Sequence, residues 1–267
     1  MCDKISVVTV CFNADAEIEK TMRSVLEQDY CKMEYIIKDG GSADRTNELI
    51  RNYQPLFKKK GITLKHIISK DNGIYDAMNI AVDSCEGEWI IFMNSGDLFY
   101  NDTVLSDIFE RKDWKRSDII YGHTLIRVSS DRGYIVNHNA LFLEEGMSLC
   151  HQSLFVRRKL VLEFPFDCRY KIKADYEQML RLKENQCIFT GINTIISERN
   201  KKGISDNQVA LCHKEDNMLR IQHNLSWKNK SVFWGYVKQI GKKMIPGFIP
   251  FWNVQKREKN IIRYKTK

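Results

Sequence analysis

The chain has 267 residues, a net charge of +8, 43% hydrophobic residues and 28% charged residues, the balance of an ordinary soluble globular protein large enough for one sizeable domain with an appendage. It contains no apolar run of roughly 18 residues, which excludes a membrane-crossing helix. Its eight cysteines form no CxxC pair and mostly sit in apolar segments, which reads as reduced, buried thiols and excludes a disulfide framework or a zinc site.

The N-terminal "KISVVTVCF" (4–12) is β-branched and apolar throughout, as a strand covered on both faces would be; it reads as a first strand rather than a signal peptide. "DAEIEKTMRSVLEQ" follows, with Ile18, Met22, Val25 and Leu26 on one helical stripe. The pattern then alternates: strand 34–39, helix 44–54, strand 62–69, helix 73–85, strand 88–94. Strands and helices that alternate over short connections predict an α/β fold, a mostly parallel sheet with helices on both faces. After residue 117 the alternation stops. "DIIYGHTLIRVSSDRGYIVN" predicts two strands joined by a turn at 130–133, "SLCHQSLFVRRKLV" a strand entering a short helix, and "ADYEQMLRLKEN" a helix. "CIFTGINTIIS" predicts a strand, "ERNKKGISDNQ" a polar loop, and residues 207–223 a closing helix.

In an open α/β sheet, ligands bind beyond the carboxyl ends of the strands. Three such ends carry polar clusters here: "KDGGSADRT", "SKDNG" and "MNSGD". In the first, two glycines allow backbone to approach a ligand, and Asp44 is placed to cap the next helix; a plain strand–helix turn would read the same way. Neither GxGxxG nor GK[ST] is present, which excludes a dinucleotide fingerprint and a P-loop. After the second, Tyr75, Asp76 and Asn79 fall on one side of the third helix, with Ala77 and Met78 toward the core. In the third, Asn94 and Asp97, an amide and a carboxylate three residues apart, suit a hard divalent cation that keeps water and diphosphate oxygens as its other ligands.

These segments resemble glycosyltransferase family 2, with its GT-A fold. The matching stretches are "VVTVCFNADAEIEKTMRSVLEQDY", "YIIKDGGSADRT", "DNGIYDAMNIAVDSCEGEWIIFMNSGD", "HQSLFVRR" and "FDCRYKIKADYEQMLRL", in that order over roughly residues 4–200. The likeness is greatest to the bacterial members that build capsule, exopolysaccharide or O-antigen repeats. It implies a UDP-sugar or other nucleotide-sugar donor and transfer with inversion to a hydroxyl of a lipid-linked (polyprenyl diphosphate) saccharide. It also implies roles. Asp39 meets the nucleobase, Asn13 and Ser42 lie by the nucleoside, and Asp71, Asn79 and Asn94 line the donor. Asp97 holds Mg²⁺ or Mn²⁺, and Asp175 is the catalytic base. "NSGD" stands where many members carry an Asp-x-Asp-Asp run, so Asn94 and Gly96 replace acids and weaken the metal site. The family's (Q/R)xxRW motif is absent, which argues against a processive synthase.

The chemistry is consistent with that resemblance. An inverting transfer needs a base for the acceptor hydroxyl and a cation for the departing nucleoside diphosphate. Asp175 opens a helix, where a plain N-cap is the alternative, and Glu177 is the fallback base. His151 and Gln152 precede "SLFV" and either line the acceptor side or serve structure. Two rival functions are a nucleotidyltransferase that makes the nucleotide sugar, and a non-catalytic binder of it. The first expects a Gly-rich basic loop where this chain has "CFNADAEI".

The expected organisation is therefore a donor-binding half over 1–100, an acceptor-binding half over 101–223, and a tail over 224–267. The tail carries eleven Lys/Arg and one acid, Glu258, while the body is nearly neutral. Phe233, Val237, Ile240 and Met244 recur on one helical stripe, and Trp227, Trp234, Tyr236, Phe248, Phe251 and Trp252 add aromatics suited to a headgroup zone. The expectation is a peripheral anchor on an anionic cytoplasmic membrane face, with no nucleic-acid partner.

Overall fold

The computed structural model describes residues 3–110, 114–129, 132–200 and 208–225, and the backbone of 261–263. Its strands are β1 (Ile5–Cys11), β2 (Met33–Asp39), β3 (Thr63–Ile68), β4 (Trp89–Phe92), β5 (Leu98–Phe99), β6 (Ile119–Arg127), β7 (Arg132–Val136), β8 (Leu154–Arg157), β9 (Phe189–Asn200) and β10 (Ile261–Arg263). Its helices are α1 (Ile18–Leu26), α2 (Thr46–Lys59), α3 (Ile74–Val82), α4 (Val104–Phe109), α5 (Arg158–Glu163), α6 (Ala174–Glu184) and α7 (Val209–Gln222).

The described strands form one sheet in the order β10-β7-β6-β8-β4-β1-β2-β3, with β9 beside β6 and β5. The expected parallel block is β4-β1-β2-β3. Beyond β4 the sheet is antiparallel, except that β9 runs parallel to β6. β1 lies inside the sheet with helices on both faces. Ile5, Val7 and Cys11 join the core under α1, α2 and α4, whereas Val8 and Val10 join the core under α3, α5 and α6. That is why its sequence is an unbroken apolar run rather than an alternation. Trp89 is fully buried, and its indole N–H donates to Asp3 at 2.9 Å; truncation there to alanine would cost about 3–5 kcal/mol.

Two local readings need correction, and two short elements were not anticipated. α2 does not stop before Pro55 but runs through it to Lys59, because Phe57 is fully buried and ties the last turn to the core. β5 and α4 carry no signal strong enough to be read from sequence; β5 is two residues long and exists through its pairing with β9. "ERN" (198–200), read as the start of a polar loop, is strand, since β9 extends to Asn200 along β6. The cysteines also differ among themselves: Cys11 and Cys85 are buried, Cys31 is exposed, and the described seven are all free thiols.

No helix among the described residues is long and apolar enough to cross a membrane. The amphipathic stripe and aromatics expected in the tail, 227–252, lie outside the described residues. Within the tail, β10 pairs antiparallel with β7, Ile261 opposite Tyr134 and Arg263 opposite Arg132.

Candidate active site

The ends of β1, β2 and β4 adjoin, and two polar clusters flank the end of β1. The first is built from the β1–α1 and β2–α2 loops. Asp39 is wholly buried at the last position of β2, and its carboxylate turns inward onto its own loop. Oδ1 accepts the backbone N–H of Gly41 (2.7 Å) and Ser42 (2.6 Å), and Oδ2 accepts the Ser42 hydroxyl (2.5 Å). Burial alone would push this carboxyl up. The Ser42 hydroxyl and the two amides outweigh it and hold Asp39 below the ordinary carboxylate range. Ser42 Oγ in turn accepts the N–H of Asn13 at 2.8 Å, and Asn13 Oδ1 accepts from Ala43 N at 3.0 Å. Asn13 sits at φ +48° and Gly41 at +91°, so both loops bend through the left-handed region that asparagine and glycine tolerate. Asp44 accepts from Thr46 N at 3.0 Å; it supports the start of α2 from one residue before the N-cap, Arg45.

Asp71 joins this cluster through a residue that sequence reasoning passed over. Lys38 is fully buried, and its ammonium donates to Asp71 Oδ2 (2.6 Å) and to the carbonyls of Ser69 (2.8 Å) and Asp39 (3.1 Å). A buried ammonium survives only with such partners, and here it pins the β3–α3 loop against the end of β2. Asp71 Oδ1 also accepts from Gly73 N at 3.1 Å, where α3 begins.

The second cluster collects side chains from four distant segments. Asp175, 4% exposed at the start of α6, accepts Tyr176 N (2.9 Å) and faces the Tyr75 hydroxyl (3.1 Å) with Oδ1, and meets His151 Nδ1 with Oδ2 (2.8 Å). The Tyr75 hydroxyl also donates to the carbonyl of Ile172 at 2.6 Å. On the other side of the imidazole, His151 Nε2 meets Asn94 Nδ2 at 3.1 Å. The backbone N–H of Asn94 donates to Asp97 Oδ2 at 3.2 Å, while Asn94 Oδ1 is buried with no hydrogen-bond partner. Asp97 is 8% exposed. Burial pushes its carboxyl up to about 6, against the opposing pull of His151, the Gln152 amide and Arg199. Gly96, at φ +96°, makes the turn that delivers Asp97, and a Cβ there would lie 2.7 Å from Glu17 Oε2.

So Asn94, Asp97, His151, Gln152 and Asp175 come together, and Asn13, Asp39, Ser42 and Asp71 form the adjoining group. Asn79 does not join either. Its amide is committed to the backbone of Phe166, donating to the carbonyl (2.9 Å) and accepting the N–H (2.9 Å), because its turn of α3 faces the 164–168 segment rather than the strand ends. Glu177 is likewise engaged: its carboxylate holds Arg181 Nε in a fork at 2.8 and 2.9 Å and accepts from Gln222 at 3.1 Å. Tyr75, Lys38 and Arg199 are the members sequence reasoning did not assign to the site. A lysine in an otherwise apolar, buried strand was the available signal for Lys38; nothing in the local pattern marks Arg199. A cleft of about 820 Å³ runs beside the site, not through it, from Asp15 past Arg23 and Tyr100 to Arg127.

Among the described residues, no three His, Cys, Asp or Glu side chains converge as a metal cage would require. What is present is one carboxylate, Asp97, bonded by the backbone N–H of Asn94, whose side-chain oxygen Oδ1 is buried with no hydrogen-bond partner. That set fits a cation whose remaining ligands come from a bound diphosphate and water.

The family model for glycosyl transferase family 2 matches residues 6–202. A PGL/p-HBAD biosynthesis glycosyltransferase of Mycobacterium bovis is 27% identical over 208 residues, 76% of this chain and 79% of the relative. Among solved structures, Staphylococcus aureus TarS 1–349 in complex with UDP-GlcNAc superposes with a TM-score of 0.68 at 15% identity, over 90% of this chain and 75% of that one. The mannosyltransferase PcManGT of Pyrobaculum calidifontis, in complex with GDP-Man and Mn²⁺, gives 0.62 at 13% identity over 94% and 77%.

Proposed function

This chain belongs to glycosyltransferase family 2, and from that premise we propose that it transfers a sugar, with inversion, from a nucleotide-sugar donor to an acceptor hydroxyl. The observation that carries the reading is one network from four segments, in which Tyr75 and His151 meet the buried Asp175 carboxylate and Asn94 joins His151 to the loop of Asp97. Tyr176 N–H and the His151 imidazole bond Asp175, the Tyr75 hydroxyl stands 3.1 Å from Oδ1, and Oδ2 keeps a lone pair for a substrate hydroxyl. In this reading Asp175 takes the acceptor proton as the acceptor oxygen bonds the anomeric carbon and the bond to the diphosphate breaks, its electron pair leaving with the nucleotide. Asp97, with the unpartnered Asn94 Oδ1 as a second candidate ligand, would hold a Mg²⁺ or Mn²⁺ ion, which when bound neutralises charge on the departing diphosphate. The loops of Asn13, Asp39, Ser42 and Asp71 hold the nucleoside end. TarS and PcManGT, crystallised with UDP-GlcNAc and with GDP-Man and Mn²⁺, are consistent with a nucleotide-sugar donor and a divalent cation, and we favour a UDP-sugar.

A thermal-shift screen of UDP-, GDP- and dTDP-sugars with Mn²⁺ or Mg²⁺ tests the donor side, since a ligand that binds only the folded state raises stability by mass action. A family of nucleotide sugars with no effect in any combination would overturn it.

For the acceptor we propose a lipid-linked saccharide of bacterial surface-polysaccharide synthesis, met at the cytoplasmic membrane face. Its support is the basic, aromatic composition of 224–267. Co-sedimentation with liposomes should rise with anionic lipid, fall with salt and vanish when 224–267 are removed. A truncated protein that still sediments like the full chain would refute the anchor.

A further inference from the structure

The base-bearing end of α6 is held by a helix that lies beyond the family match. Residues 6–202 match the family model, whereas α7 begins at Val209. From α7, Glu215 reaches back with a carboxylate that is 1% exposed. Its Oε1 accepts the backbone N–H of Lys171 at 2.6 Å; its Oε2 accepts those of Ile172 (3.0 Å) and Lys173 (2.9 Å). Three consecutive amides bound by one buried carboxylate hold that stretch in a single conformation. The stretch is the entry to α6, two residues ahead of Asp175. The middle residue, Ile172, presents its carbonyl to the Tyr75 hydroxyl, and the same hydroxyl faces Asp175 Oδ1. Further ties run the same way: Lys173 pairs with Asp216, and the Tyr170 hydroxyl donates to Gln222 at 2.9 Å.

We propose that Glu215 is a positioning residue for sugar transfer: by fixing the 171–173 backbone it sets the Tyr75 hydroxyl and, through it, the orientation of Asp175. This rests on the reading of Asp175 as the base. A buried carboxylate is costly unless satisfied, and here all of its bonds go to one loop whose neighbour is the base. The donor loops of Asn13, Asp39, Ser42 and Asp71 share no hydrogen bond with Glu215, so loss of Glu215 should leave nucleotide binding in place.

The test uses the full chain. UDP binding is measured by calorimetry with Mn²⁺, UDP, GDP or dTDP release is measured over the same nucleotide-sugar panel with water as the acceptor of the sugar, and turnover is divided by the nucleotide-binding sites present. Glu215→Gln keeps size but sets an N–H₂ against backbone donors. Turnover per binding site should fall about tenfold or more, with affinity and stoichiometry for UDP within about twofold of wild type. Hydrogen exchange should rise in 167–176 and stay unchanged in 33–44. Tyr75→Phe should lower turnover per site in the same direction, and the double variant should lose less than the product of the two. Should Glu215→Gln fail to fold, Glu215→Asp, which withdraws the carboxylate by one methylene, takes the same measurements. Turnover per site unchanged while 167–176 exchanges faster would overturn the proposal. So would binding stoichiometry that falls in step with turnover, the mark of a purely structural residue. Asp175→Asn is the control: if it works at the wild-type rate, the base reading itself fails, whatever Glu215 does.

Discussion

The two clusters at the end of β1 are built in opposite ways. The loop group of Asn13, Asp39 and Ser42 is largely self-contained: Asp39 bonds residues two and three positions ahead, and Ser42 completes the set with Asn13 on the neighbouring loop. The acid group of Tyr75, Asn94, His151 and Asp175 has almost no local support. Its hydrogen bonds span 57, 24 and 100 residues of sequence. The first should keep its shape wherever β1 and β2 pair. The second exists only when α3, β4, the 151–153 turn and α6 are all packed, and Asp97 remains buried and strained electrostatically within it. A binding loop can be assembled from short-range hydrogen bonds, whereas a proton-transfer site needs groups whose environments are set from several directions.

The sharpest break in that contrast is Asp175→Asn. The amide can still accept from Tyr176 N but cannot take a proton, so turnover should fall by a factor on the order of a thousand while the melting temperature moves little. Near wild-type turnover would reduce Asp175, the second residue of α6 behind the N-cap Lys173, to a structural role. Next, Asp97→Asn should also cost on the order of a thousandfold in rate and abolish the response to Mn²⁺. Full activity in EDTA would remove the cation from the reading.

The same variant separates function from stability. A carboxyl whose folded-state pKa lies above its unfolded value favours the fold while protonated. For Asp97 that contribution is complete below about pH 4 and is lost as pH rises through about 6, a span worth about 3 kcal/mol. Asp97→Asn should therefore raise the melting temperature at pH 8 and leave it nearly unchanged at pH 4, in scanning calorimetry without metal. His138 works in the opposite sense. Burial holds it down to about 4 against the opposing pull of the Ser148 carbonyl, so its contribution is complete above about pH 6.5 and lost as pH falls through 4. Replacing it with glutamine should flatten the acid side of the stability profile.

Smaller effects test the loop group. Ser42→Ala removes the hydroxyl between Asp39 and Asn13 and should cost about 1–2 kcal/mol of stability, with weaker UDP binding in the same calorimetric titration. Asn79→Ala should cost a similar 1–2 kcal/mol by freeing the Phe166 backbone, yet leave UDP affinity unchanged. A clear loss of UDP affinity in Asn79→Ala would return Asn79 to the donor site.

Much of this architecture is legible along the chain. The unbroken apolar run of β1, the stripe of Ile18, Met22 and Val25, and the turn residues Gly41 and Gly96 each encode a local preference that the fold obeys. They place Asp39, Asp71 and Asp97 at strand ends because a parallel sheet leaves its polar residues nowhere else to gather. What local pattern could not reveal is partnership. Asn79 and Tyr75 stand one turn apart on α3, yet one bonds Phe166 and the other turns to Asp175, a difference set by which segment packs over each turn. Lys38 reads as a misplaced charge until Asp71 arrives beside it, and Glu215 as an ordinary helix acid until three amides of another loop close on it. The sequence by itself determined the periodicity, the turns and the chemical types at the strand ends, since these follow from backbone geometry and side-chain preference over a few residues. Only the tertiary structure decided which of those polar groups are satisfied, which are buried and charged, and which face one another, because hydrogen bonds and desolvation depend on neighbours that the chain brings in from a hundred residues away.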